Sequence, residues 1–246
     1  GLELSLGSLT PQPHRMSDAE ATEIRRVIEG HGLKITGIHW LLAPYPDLSI
    51  TDPDRQPETV RVLIRLVQLC AALGGRVLVH GSPSQRQPLP GVDPVQVEAE
   101  LAEFFAPVAQ EAERCGVIYC IEPLSPAETS VINTVAAGVR LVDAVGSSAF
   151  RTMIDVSAAG QAEDMRVADL LRHWLPSGKL AHVQANDSNR GAPGMGNDPF
   201  PQIVRALREL DWPHPVALEP FRTCIDATTT AAIGAATMKA CWEAAA

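Results

Sequence analysis

Short apolar runs and longer stretches of helical periodicity take turns along this chain. The runs, each of strand length, lie at Leu2–Leu6, Leu33–Trp40, Arg76–His80, Val117–Glu122, Arg151–Asp155, Leu180–Gln184 and Pro215–Glu219. Between them apolar positions recur every three or four residues. In Glu58–Leu73, for example, Val62, Leu66, Leu69 and Leu73 share one helical face ahead of Gly74-Gly75. Ser17 followed by Glu20 is a capping box that opens a helix ending near Gly30. Val95–Cys115 reads as a long amphipathic helix stopped by Gly116. Thr134–Val145, Met165–Leu175, Pro199–Leu210 and Ala227–Ala244 supply four more.

Strands alternating with helices at this cadence predict parallel βα units and an α/β fold. The fold expected is a (β/α)8 TIM barrel lacking its first βα unit in this chain, since only seven of eight strands are visible. An open doubly wound sheet would want a glycine-rich phosphate turn after an early strand. Gly194-Met195-Gly196 comes late and follows a loop. No linker or composition break interrupts residues 1–246, so one domain is expected.

Polar chemistry collects at the C-terminal ends of four strands, at Glu122, Asp155, Gln184 (with His182) and Glu219. Proline follows both glutamates, and it holds the residue before it extended, fixing the carboxylate's direction. Period-two parity puts Ile118, Cys120 and Glu122 on one face, Met153 with Asp155, His182 with Gln184, and Ala217 with Glu219. A lone acid at a strand end is ordinarily a solvated terminus or a helix cap. Several carboxylates at one barrel mouth repel, and the usual remedy is a divalent cation held by oxygen ligands. After Gln184 come Asn186, Asp187, Asn189 and Arg190, then a Gly/Pro segment. There Asp187 stands either behind a ligand or as the cap of the following loop.

Composition narrows the partners. A net charge of −9 argues against a general nucleic-acid or anionic-membrane binder. No run approaches the ~18 apolar residues of a membrane span. The five cysteines lack CxxC spacing and sit in apolar patterns, predicting buried free thiols and a reducing, cytoplasmic setting. No signal peptide is visible.

At these residues the chain resembles the sugar isomerase/epimerase superfamily of xylose-isomerase-like barrels, nearest to the ketose 3-epimerases of the tagatose/psicose type. The resemblance runs from Leu2 to about Arg222. By it, Glu122, Asp155 and Glu219 match the family's metal-binding Glu, Asp and Glu. Glu128, with the Asn133-Thr134 pair at the family's spacing, matches a substrate-contacting Glu. Arg190 matches an Arg that reaches the substrate. The fourth ligand, a histidine in the family, is Gln184 here, and His182 on the same face is its possible substitute. A histidine often found three residues after the Asp is Ala158.

The resemblance implies one divalent metal ion (Mn2+, Mg2+, Co2+ or Zn2+) and a small-molecule sugar or sugar phosphate, with a homo-oligomer common in the family. It also implies epimerisation through a cis-enediolate, with Glu122 and Glu219 as the acid/base pair. The alternatives are a dehydratase or aldose–ketose isomerase of the same fold, or a sugar-binding barrel that has lost activity. Endonucleases of the same superfamily would want a basic groove and more histidine ligands. Among remaining residues, His80 and Arg86 of VLVHGSPSQR either grip sugar hydroxyls or a phosphate or belong to a surface loop. His39-Trp40 offers a substrate contact or core packing, and Glu3 points into the barrel or away from it. His14, His31, His173 and His214 read as surface.

Overall fold

A computed structural model describes residues 1–245 and divides the chain into two compact units, Gly1–Thr152 and Met153–Ala246. The first contains β1 (Leu2–Ser5), β2 (Ile35–His39), β3 (Val77–His80), β4 (Ile118–Ile121) and the start of β5 (Phe150–Asp155). These strands stand side by side in chain order, all parallel. Its helices are α1 (Asp18–Gly30), α2 (Gln56–Ala72), α3 (Pro94–Cys115) and α4 (Val135–Val145). The capping box forms as expected: Ser17 N–H donates to Glu20 Oε2 (2.8 Å) and Glu20 N–H to Ser17 Oγ (3.2 Å). Glycines in left-handed conformation end α3 at Gly116 and α4 at Gly146.

Strand register decides which side chains face which way. Val77 pairs with Ile118, Val79 with Cys120, and Cys120 with Arg151, so Val79, Cys120 and, by parity, Glu122 share one face. The other face carries His80, Tyr119, Ile121 and Phe150. It packs on α3, where the Phe105 ring meets those of His80, Tyr119 and Phe150 at centroid distances of 5.7, 5.7 and 5.1 Å. Ile38, Leu63, Leu66, Leu78 and Val108 continue this apolar layer. Glu3, Ser5 and His39 fall on the Glu122 face through the pairs Glu3↔Gly37, Ser5↔His39 and Gly37↔Val77.

The second unit holds the end of β5, then α5 (Val156–Ala162), α6 (Val167–Trp174), β6 (Leu180–Ala185), α7 (Phe200–Glu209), β7 (Ala217–Leu218) and α8 (Ala227–Ala244). Here β6 and β7 pair in parallel, Gln184 beside Ala217. Buried Val183, Ile203, Val204 and Leu207 form its apolar centre, with Leu170 and Leu171 of α6. Strand seven is shorter than the Pro215–Glu219 run suggests, and α5 begins directly at the end of β5 where no helix is expected. No helix among the described residues is long and apolar enough to cross a membrane.

Candidate active site

The first unit prepares Glu122 from behind. Arg86, fully buried in a 3-10 turn (Pro83–Arg86) after β3, donates from Nη1 to Glu122 O (2.6 Å) and from Nη2 to His80 O and Gly81 O (both 2.5 Å). Burial lowers the Arg86 pKa to about 10, against the opposing pull of the Glu122 charge. In front, a Cβ built on Gly81 would overlap Glu122 Oε2, so any larger residue there forces that carboxylate to move. Glu122 itself is 8% exposed.

This geometry corrects the expectation for His80 and Arg86. His80 lies on the helix-facing side, its Nδ1 hydrogen-bonded to the Tyr119 hydroxyl. Burial, and then the neighbouring Arg86 charge, push its pKa far below the ordinary histidine value, so it stays neutral. Both Nη atoms of Arg86 are committed to backbone carbonyls. Both side chains are fully buried, so neither presents a group at the surface to a sugar or a phosphate. The apolar VLVH run conceals this, because either face of such a strand reads as buried.

Other candidates in this unit fare differently. His39 is on the Glu122 face, with its Nδ1 3.9 Å from Glu3 Oε1, and Glu3 is thereby an inward carboxylate. Trp40 is 44% exposed in a left-handed conformation (φ 54°), which excludes a core role. Glu128 Oε2 accepts from Ser125 Oγ (2.7 Å) and Ser125 N (3.2 Å), fixing the turn after β4. Cys70 and Cys120 are buried and their pKa values are pushed up by that burial, so both remain thiols. Cys115, Cys224 and Cys241 are only half-buried, contrary to the expectation of five buried thiols. His31, His173 and His214 are exposed as expected, whereas half-buried His14 hydrogen-bonds the Tyr45 hydroxyl (2.9 Å).

The second unit brings two of the expected carboxylates together. One oxygen of Asp155 and one of Glu219 lie within 4.8 Å of each other. Asp155 also caps α5, its Oδ1 accepting from Ala158 N (2.7 Å), so the cap reading of a strand-end acid is realised in the same residue. The β6–β7 register places buried Gln184 and His182 on the face that carries Ala217 and, by parity, Glu219. Asn186, given no role by the sequence, ties these pieces together. Its Oδ1 accepts from Ser157 N (3.1 Å) at the start of α5, and its Nδ2 donates to Glu219 O (3.3 Å). Only its place among polar residues after β6 hinted at this.

A buried carboxylate organises the loop that follows. Asp187, 1% exposed, accepts from Gly194 N (3.1 Å), Gly196 N (2.8 Å) and Asp198 N (2.9 Å), so it is the loop's cap. Arg190 is exposed on that loop, its guanidinium 4.2 Å from the centre of the Phe221 ring.

A family model described as Xylose isomerase-like TIM barrel matches residues 1–241. The chain belongs to that family. Its alternation of parallel strands and helices is therefore that of the family's TIM barrel, as expected from the pattern of apolar positions. Within the family it is similar to the D-psicose 3-epimerase of Ruminiclostridium cellulolyticum, 29% identical over 209 residues that cover 83% of this chain and 69% of that protein. The D-psicose 3-epimerase of Agrobacterium fabrum is also 29% identical, over 212 residues covering 83% of this chain and 70% of that protein. A crystal structure of D-psicose 3-epimerase in the presence of D-fructose superposes with a TM-score of 0.74 at 26% identity, covering 94% of this chain and 83% of that one. These relatives are sugar epimerases, which are isomerases.

Proposed function

We propose that the chain is a metal-dependent ketose epimerase in which Glu122 and Glu219 move the proton. The observation that carries this reading is the approach of Asp155 and Glu219, whose oxygens come within 4.8 Å. Two ionised carboxylates so placed repel, and a divalent cation relieves the repulsion. Asp155, Glu219, Glu122 and the amide oxygen of Gln184 form an all-oxygen donor set, which suits a hard ion such as Mn2+ or Mg2+ better than a soft one. Glu122 enters the set through the family resemblance, in which it matches a metal-binding Glu.

When bound, such an ion supplies Lewis-acid stabilisation of the negative charge that develops on the ketose oxygens. The rest is the work of side chains. One of Glu122 and Glu219 takes the proton from the carbon beside the carbonyl, leaving the substrate as a cis-enediolate. The other returns a proton to the opposite face, which inverts that carbon. Glu128, Arg190, His182 and His39 serve as substrate contacts, and Arg190 reaches the sugar from the loop after β6.

The test is incubation of the purified protein with D-psicose, D-fructose and D-tagatose in deuterated water with Mn2+, Mg2+ or Co2+. The reading predicts deuterium at the carbon next to the carbonyl together with the 3-epimer. Both are lost on chelation and regained on adding metal. Exchange that survives chelation, or none with any ketose, overturns it. An aldose product instead of the epimer would mark an aldose–ketose isomerase.

A further inference from the structure

The β6–α7 loop is irregular, rich in glycine and carries Arg190, yet it is built around one side chain. Both oxygens of Asp187 are engaged: Oδ2 by Gly194 N and Gly196 N, Oδ1 by Asp198 N. Hydrogen bonds to a carboxylate are among the stronger ones in proteins. A Cβ on Gly196 would overlap Asp187 Oδ1, so any larger residue there displaces the carboxylate. The main chain of Asp187 also closes the turn that contains Arg190. Arg190 N donates to Asp187 O (2.7 Å), and Asp187 N donates to Gly191 O (2.8 Å).

Inside this turn Arg190 takes a left-handed conformation (φ 67°), which is strained for a non-glycine residue and persists only where neighbours impose it. The Arg190 carbonyl then accepts from Phe221 N and Arg222 N (both 2.9 Å), and its guanidinium lies over the Phe221 ring. The imposed backbone of Arg190 thus joins the loop after β6 to the segment just past Glu219.

We propose that Asp187 is a positioning residue, which through the turn it closes sets where Arg190 presents its guanidinium to the substrate. This rests on the reading of Arg190 as a substrate contact. Without the carboxylate, three backbone N–H groups lose their acceptor, the loop loosens and the strained turn at Arg190 relaxes. Substrate binding weakens while proton transfer by the glutamates is left in place.

The experiment has two independent readouts. The first is KM and kcat for D-psicose with Mn2+ in the wild type, Asp187→Asn, Arg190→Ala and the double variant. Each single variant raises KM about 10- to 100-fold with kcat within about threefold, and the double is no worse than Arg190→Ala alone. The second is trypsin cleavage after Arg190, which becomes about tenfold faster in Asp187→Asn because the loop opens more often. If Asp187→Asn does not fold, Gly196→Ala perturbs the same carboxylate and must give both results.

Unchanged cleavage, KM within about twofold of wild type in Asp187→Asn while Arg190→Ala raises it, or effects that multiply in the double variant each overturn the inference. If Arg190→Ala itself leaves KM unchanged, the reading of Arg190 as a contact fails and the inference falls with it. Faster cleavage in the same experiment would still show that Asp187 holds the loop.

Discussion

Arg86→Met tests the support behind Glu122. The substitution keeps most of the side chain's length and removes its charge and its three hydrogen bonds. The His80 carbonyl retains the Glu122 N–H as a donor (3.1 Å), so the loss falls on Gly81 O and Glu122 O. A hydrogen bond from a charged group contributes about 1.5–3 kcal/mol, which gives a gross loss of about 3–6 kcal/mol. Against this, the variant no longer buries a guanidinium whose pKa burial has pulled down to about 10. The net expectation is a loss of roughly 3 kcal/mol, or about 6–12 °C in Tm for a chain of this size. Urea and thermal unfolding followed by circular dichroism measure it directly. Arg86→Lys recovers only part of the loss, because an ammonium cannot span three carbonyls as a planar fork does. A variant within about 0.5 kcal/mol of wild type would refute the claim that Arg86 holds the ends of β3 and β4 together.

Three further outcomes are expected. Gly81→Ala drives a methyl group into the Glu122 carboxylate and lowers kcat by about 100-fold or more, with an unchanged far-ultraviolet spectrum; near-normal turnover would show that the glycine is dispensable. Ile225 is 90% exposed and held at φ 65°, so Ile225→Asn raises stability by about 0.5–1 kcal/mol in urea unfolding, since asparagine tolerates that conformation and no packing is lost. The bond from Arg114, and then that from Gln68, lowers the Glu111 pKa from its ordinary 4.5 to about 2. A carboxylate depressed in the folded state contributes stability above its unfolded pKa and loses it as pH falls through the folded one. Stability therefore declines between about pH 4.5 and pH 2, and Glu111→Gln flattens that decline in acid-unfolding curves.

Much of the architecture is legible in the sequence because period-two and helical spacing follow directly from what each element buries. All seven strands and the capping box at Ser17 appear where the pattern puts them, with ends shifted by one or two residues. The helix α5 escapes because Val156–Ala162 is short, contains Gly160 and follows β5 with no intervening turn signal. Its only cue is Asp155, which serves as N-cap and candidate ligand at once. His80 misleads for a different reason. Parity assigns residues to two faces but does not say which faces the helices when both are apolar, and only the Phe105 contact decides it. The cap role of Asp187 is one of the two readings its place before a Gly/Pro loop allows, whereas the role of Asn186 depends on Ser157 N–H and Glu219 C=O, 29 and 33 residues away along the chain, which no local pattern encodes.

The central proposal is that Asp155, Glu219 and Gln184 gather one divalent ion, with Glu122 as the further ligand that the family resemblance implies. Elemental analysis of the purified protein after equilibration with Mn2+ and removal of free metal tests it most directly. The account predicts about one Mn2+ bound per chain, with binding lost in the Asp155→Asn/Glu219→Gln double variant while the fold, followed by circular dichroism, remains. No bound metal in the wild type, or full binding in the double variant, would contradict it.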